Sequence, residues 1–179
     1  MTAAEKLEQI LSYKEEGNSF FREKEYKKAA RNYHKAILYV KAIEIGAKGT
    51  GFDGLINGVT SAEKIDEETL SRVREAKVAV YNNLSMCLMQ QEEPKYDRVL
   101  ENIAVVLEAD PDNVKANYRR GLALAKTGNH EGALEVFAKV KALEGAEKEY
   151  LKKAIALSEE MVKEGRQRNK DMYKKMFSS

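Results

Sequence analysis

The amino-acid sequence predicts an all-α protein: three helix–turn–helix units followed by one long helix. Three observations carry this. Apolar residues return every three to four positions over most of the chain, the spacing of one helix face. Helix breakers are scarce, with 2 prolines and 11 glycines in 179 residues, and several of the glycines crowd one stretch, GAKGTGFDGLING. The first unit also aligns with the third. Between YKEEGNSFFREKEYKKAARNYHKAI and YRRGLALAKTGNHEGALEVFAKV, Gly17 meets Gly121, Ala29 meets Ala133 and Tyr33 meets Phe137.

The elements follow in order. Tyr13, Phe20 and Phe21, then Tyr26, Ala29, Ala30, Tyr33, Ile37 and Val40, mark two helices with a break at EKEY. Gly46, Gly49, Gly51, Gly54 and Gly58 read as a loop insertion over about 44–65, because repeated glycine favours irregular backbone. Asp66 to Gln91 is the next helix, opened by acidic residues that suit its N-terminal dipole and stopped by Pro94. Tyr96 to Glu108 follows and ends at Asp-Pro-Asp-Asn, 110–113. Val114–Thr127 and His130–Leu143 pair around the Gly128-Asn129 turn, and a long helical stretch runs from after Gly145 to about Phe177. The middle unit, YNNLSMCLMQQEEPKYDRVLENIAVVLEADPDN, fits the repeat with two extra residues near Glu92–Pro94. Small residues at Gly17, Ala29, Ser85, Gly121 and Ala133 mark close crossings of paired helices, with aromatic rings filling the gaps beside them.

Composition narrows function by exclusion. Lys and Arg number 31 against 29 Asp and Glu, a net charge of +2. That lacks the basic excess of a general nucleic-acid binder. One cysteine, Cys87, and two histidines, His34 and His130, are too few for an internal disulfide or a Cys- or His-based metal site. No apolar run reaches the roughly 18 residues of a membrane span. The start, MTAAEKLEQI, is too charged for a secretory signal, and arginine is scarce for a mitochondrial presequence. The expected location is the cytosol, or cytosol and nucleus. No Ser-His-Asp set, carboxylate pair or phosphate loop stands out, so neither an enzyme nor a cofactor is expected.

The repeat resembles the tetratricopeptide repeat (TPR). Its pattern appears as Tyr13, Gly17, Phe20, Ala29, Tyr33 and Ala36, then Tyr81, Ser85, Leu88, Val99, Ile103 and Pro111, then Tyr118, Gly121, Leu124, Ala133 and Phe137. The resemblance covers about residues 10–147 apart from the insertion. It implies one domain over 1–179, a right-handed TPR superhelix. Repeat 1 lies at about 10–43, repeat 2 at about 78–113, repeat 3 at about 114–147, and a capping helix at about 146–177. The whole arrangement, including YHKAILYVKAIE and PKYDRVLENIAVVLEADPDNVKANYRRG, is similar to the tetratricopeptide repeat protein 9 family. It is also similar to the TPR half of large FK506-binding immunophilins, whose terminal helix DMYKKMF resembles. No prolyl-isomerase domain fits before residue 10, so isomerase activity is not implied.

In such a solenoid the first helices line the concave face. Lys14 and Asn18, and Lys115 and Arg119, are pairs four apart on first helices, and Asn83 lies on the first helix of repeat 2. This set matches the dicarboxylate clamp of Hsp70- and Hsp90-binding TPR domains. The resemblance implies that Lys14, Asn18 and Asn83 hold the terminal carboxylate of a peptide ending in Asp. Lys115 meets the Asp side chain, and Arg119 supports that end or an upstream acid. Cations give charge-assisted bonds and amides add donors without crowding charge. The implied partner is the C-terminal peptide of Hsp90 or Hsp70.

Phe21, Met86, Met89, Tyr118 and Leu122 are candidates for the apolar lining of the groove. Interhelix packing is the competing role for Phe21 and Met86, and the favoured one for Leu122. The insertion at Glu92–Pro94 bears on whether Asn83 keeps register with the other four. Two rival readings remain: a scaffold for another acidic or internal peptide, and a calmodulin-regulated adaptor. The second rests on the terminal helix, which is both basic and amphipathic, a character shared with membrane-surface helices. Capping of the last repeat is the favoured role of its apolar stripe.

Overall fold

The computed structural model describes residues 1–47, 65–143 and 149–177. These form seven helices: α1 (Ala3–Arg22), α2 (Tyr26–Ala47), α3 (Glu67–Met89), α4 (Tyr96–Ala109), α5 (Val114–Lys126), α6 (His130–Ala142) and α7 (Glu149–Phe177). Sequence chemistry sets their starts. Thr2 and Glu5 form a capping box on α1, and Asp66, Asn113 and Asn129 each accept a backbone N–H at the starts of α3, α5 and α6. The expected helices are found, with one shift. Helix α2 runs on to Ala47, through residues assigned to the glycine-rich loop. Ile43 is fully buried there, and Glu44 pairs with Lys77 of α3 at 2.6 Å. These contacts offset the roughly 1 kcal/mol that Gly46 costs inside a helix. The remaining insertion, 48–64, lies outside the described residues.

Each helix packs on its chain neighbours, and α1, α3, α5 and α7 also touch in succession. The first helices therefore form one layer and α2, α4 and α6 a second. Helix α7 contacts both α5 and α6, as the first helix of a fourth unit would. One core cluster runs from Leu7 of α1 to Ala123 of α5. A smaller one joins Ala133, Phe137 and Val140 of α6 to Leu151 of α7.

Close helix crossings set this layering. A methyl group on Gly17 would stand 2.6 Å from the Tyr33 ring, and one on Gly121 would stand nearer still to the Phe137 ring. Both rings are buried and rigid. In repeat 2 the small residue is Ser85, whose buried hydroxyl donates to the Tyr81 carbonyl at 2.8 Å. By the same register the partner of Tyr13 in repeat 3 is Asn117, not Tyr118. Asn117 is buried and its amide donates to the carbonyls of Pro111 and Asn113.

The turns differ in the same way. Gly128 has φ +87°, and its counterpart in the first turn, Lys24, has φ 62°. The left-handed conformation costs a non-glycine residue about 1 kcal/mol or more. Lys139 donates to the Pro111 carbonyl at 2.7 Å and pairs with Asp112 at 3.1 Å. It ties α6 to the turn before α5.

Substitutions at the crossings and at the turns test this packing and these backbone conformations. Gly17→Ala and Gly121→Ala should each cost about 1–3 kcal/mol in urea unfolding. Gly165→Ala, where nothing stands within 4 Å, should be neutral or stabilising. Replacing Lys24 by Gly should raise stability by about 0.5–1 kcal/mol, while Gly128→Ala should lower it by at least as much. If Lys24→Gly lowered the melting temperature, the strain assigned to this turn would be wrong.

Candidate functional site

The inner layer brings polar side chains of three helices to one point. Asn18 of α1 is its centre. Its Oδ1 accepts from the Tyr33 hydroxyl at 2.7 Å and from Asn83 Nδ2 of α3 at 3.0 Å. The Asn83 contact spans repeats 1 and 2, so the extra residues at Glu92–Pro94 leave these two amides in register. Burial pushes the Tyr33 phenol above its ordinary pKa, with the nearby Cys87 adding to the shift. The phenol therefore stays a neutral donor to Asn18. Cys87 is itself buried, which pushes its thiol up to about 12 and makes it a core residue rather than a nucleophile.

Arg119 of α5 reaches the same point from the other side. Its Nη1 donates to Asn82 Oδ1 at 2.7 Å. Asn82 is buried, and its amide nitrogen lies 3.4 Å from Oδ1 of Asn113, the cap of α5. A chain of bonds thus runs from the guanidinium through α3 to the start of its own helix. Burial holds the Arg119 pKa below its ordinary value, because water solvates the cation poorly there. The side chain stays charged even so.

Asn18, Asn83, Arg119, Phe21 and Met86 line one pocket of about 220 Å³, together with Tyr33 and Arg22. Among the described residues no carboxylate forms an ion pair with Arg119 or Arg22. The pocket therefore carries two arginines that no described carboxylate pairs. Lys14 lies one turn before Asn18, and Lys115 one turn before Arg119, outside the pocket lining. Lys115 is exposed. Lys14 pairs at 3.4 Å with Glu15, whose same oxygen accepts from Asn18 Nδ2 at 3.3 Å. Glu15 thus lays a carboxylate across two of the expected clamp residues.

The apolar candidates separate. Phe21 and Met86 face the pocket, and Phe21 also packs edge-on against Tyr26 with ring centres 5.4 Å apart. Met89 packs on the main core instead. Tyr118 packs on Phe137, and Leu122 on the smaller core. Asn82, Arg22 and Glu15 were missed by sequence reasoning. Spacing alone does not decide which of two adjacent asparagines enters a pocket and which holds a neighbour's guanidinium.

A larger cleft of about 930 Å³ lies at the ends of α2 and α4 and the start of α3. Its cations Lys77 and Arg74 are already paired, with Glu44 and Glu67. The smaller pocket, whose arginines no described carboxylate pairs, is therefore the better candidate. No described group of His, Cys, Asp and Glu is arranged to hold a metal ion, and no described helix is long and apolar enough to cross a membrane.

The buried bond to Asn82 gives Arg119 a structural role besides its place on the pocket wall. Arg119→Ala should cost about 1–3 kcal/mol in chemical unfolding, since it strips a buried acceptor of its donor. Lys115→Ala should stay within about 0.5 kcal/mol of the parent. Equal stability of the two variants would remove the structural role given to the Arg119–Asn82 contact.

No protein-family model matches the chain. Over 171 residues it is 28% identical to tetratricopeptide repeat protein 9C of Xenopus tropicalis, covering 96% of this chain and 93% of that protein. It is 27% identical over 177 residues to the peptidyl-prolyl cis-trans isomerase FKBP4 of Mus musculus, covering 99% of this chain but only 34% of the isomerase. Among solved structures it resembles the C-terminal TPR-containing domain of an FK506-binding protein of Plasmodium falciparum. The TM-score is 0.75 at 24% identity, covering 93% of this chain and 97% of that one. Fold and sequence together make this a TPR domain related to tetratricopeptide repeat protein 9 and to the TPR part of FK506-binding isomerases.

Proposed function

We propose that this TPR domain, a protein-interaction module, acts as a co-chaperone or adaptor. It binds the acidic C-terminal tail of Hsp90 or Hsp70 through a dicarboxylate clamp and performs no catalysis of its own. The observation that supports this most is the pocket where Asn18, Asn83 and Arg119 converge, with no carboxylate of the described residues paired to Arg119. A chain ending in Asp offers two carboxylates at one residue. In this reading Asn18, Asn83 and Lys14 take the main-chain carboxylate, while Lys115 and Arg119 take the acidic side chains. The pocket is already ordered by Tyr33 and Asn82, so little side-chain freedom is lost on binding. Phe21 and Met86 give an apolar wall to residues upstream of the terminal Asp.

Glu15 gives the unbound site an internal competitor. Its carboxylate must leave Lys14 and Asn18 before a ligand carboxylate takes them. Binding is therefore an exchange of one anion for another.

Calorimetric titration with peptides ending in Met-Glu-Glu-Val-Asp and Ile-Glu-Glu-Val-Asp tests the reading. Free-acid peptides should bind and C-terminally amidated ones should not. Lys14→Ala should lose about 2–5 kcal/mol of binding if it holds the ligand charge in a desolvated pair. From a micromolar start near 8 kcal/mol, that is close to undetectable. Lys27→Ala, an exposed lysine on α2, should bind as the parent does. Glu15→Gln should tighten binding about two- to fivefold, the worth of roughly 0.5–1 kcal/mol for an exposed ion pair. Equal binding of acid and amide would move the role to a scaffold for internal peptides.

A further inference from the structure

Helix α7 carries apolar residues on one side in two stretches, separated by Gly165, Arg166 and Asn169, and the body covers only the first. Leu151 and Ile155 pack in the smaller core, and Met161 and Val162 stand beside Gly128–Glu131 at the start of α6. Arg166 reaches Glu131 at 3.3 Å, the last ion pair between α7 and the body among the described residues. Every residue from Arg166 to Phe177 is exposed. The apolar side resumes at Met172, Tyr173, Met176 and Phe177, which are 52%, 58%, 65% and 84% exposed. Asn169 still stands beside the start of α6, so about 12 Å of amphipathic helix lies beyond it.

The charges around this segment are ordered. At 3.6 residues per turn, Arg168 and Lys175 run along one edge of the apolar stripe and Lys170 and Lys174 along the other. Glu164, Gln167 and Asp171 fall on the opposite face, and Gln167 and Asp171 bond each other at 2.9 Å. Cations on both edges, with acids turned away, suit a flat negatively charged surface. Each long cationic stem lies along the apolar face while its head reaches outward to anionic groups. A partner that encircled the helix would set Glu164 and Asp171 against its own acidic wall. A second copy would bring like charges edge to edge.

We propose that the projecting end of α7 docks this protein on an anionic lipid surface, with Met172, Tyr173, Met176 and Phe177 entering the headgroup layer. The lysines and arginines at the edges meet lipid phosphates and carboxylates. The contact is peripheral and salt-dependent, since a stripe this short has little apolar area to bury. It uses a surface apart from the Asn18–Asn83–Arg119 pocket, so peptide and membrane binding are independent.

The test is co-sedimentation of the full chain with phosphatidylcholine vesicles and with vesicles containing about one third phosphatidylserine. The expected result is at least about tenfold stronger binding to the anionic vesicles, released by about 0.5 M salt. Met176→Glu with Phe177→Glu, and separately Lys170→Glu with Lys174→Glu, should abolish it. Circular dichroism melts should be unchanged, because all four residues are exposed. Leu38→Glu, at an apolar residue 66% exposed on α2, should bind vesicles like the parent, as should Lys115→Ala. Equal binding to both vesicle types overturns the proposal, and so do α7 variants that bind like the parent. A calcium-dependent complex with calmodulin without vesicle binding would assign the segment to an acidic protein groove. Dimerisation in light scattering that the apolar pair abolishes, again without vesicle binding, would assign it to a second copy.

Discussion

The contact on which the rest depends is the seating of a ring against a glycine where two helices of a repeat cross. Tyr33 on Gly17 and Phe137 on Gly121 fix how closely α1 meets α2 and α5 meets α6. That spacing decides how the first helices stand side by side. Tyr33 also carries the geometry directly into the pocket, because its ring fills the crossing while its hydroxyl holds Asn18. A single side chain thus serves packing and site, and the site inherits the rigidity of the core.

The fold was legible because each level of the sequence agreed with the next. Apolar spacing, caps and turn residues all pointed to paired helices. Where the reading strayed, tertiary contact had overruled a local preference. Gly46 looks like a helix end, yet α2 passes through it because Ile43 and Glu44 have partners on the neighbouring helices. Tyr118 looks like the counterpart of Tyr13, yet the buried position belongs to Asn117, which satisfies carbonyls before α5. Lys139 looks like a free rim cation, yet it closes a turn in a different repeat.

The pocket was legible in part. The residues whose spacing matches a clamp include three that line it: Asn18, Asn83 and Arg119. The helical period puts Asn18 and Arg119 on the inner side of their helices, and the resemblance to a clamp singles out Asn83 over Asn82. The residues that condition them were invisible for a physical reason. Asn82 works through a bond across repeats, and that bond depends on how far two helices stand apart. Glu15 and Arg22 share α1 with Asn18, three residues before it and four after, but helical spacing does not tell an exposed charge from one that bonds Asn18 or joins a pocket wall.

The division of the core has a consequence for motion. Among the described residues the larger cluster extends from α1 to α5, and the smaller one holds α6 and α7 with only a few fully buried side chains. Repeat arrays open from their weaker end, one neighbour interface at a time. Here that end is α6 and α7, so amide hydrogens there exchange through partial openings that leave α1 to α4 closed. Helix α5 belongs to both regimes, since it packs on α6 yet presents Arg119 to Asn82 of α3. A ligand held by residues of α1, α3 and α5 would act across that seam. It would slow the opening of a region it does not touch, and protection of α6 and α7 would become a remote readout of occupancy.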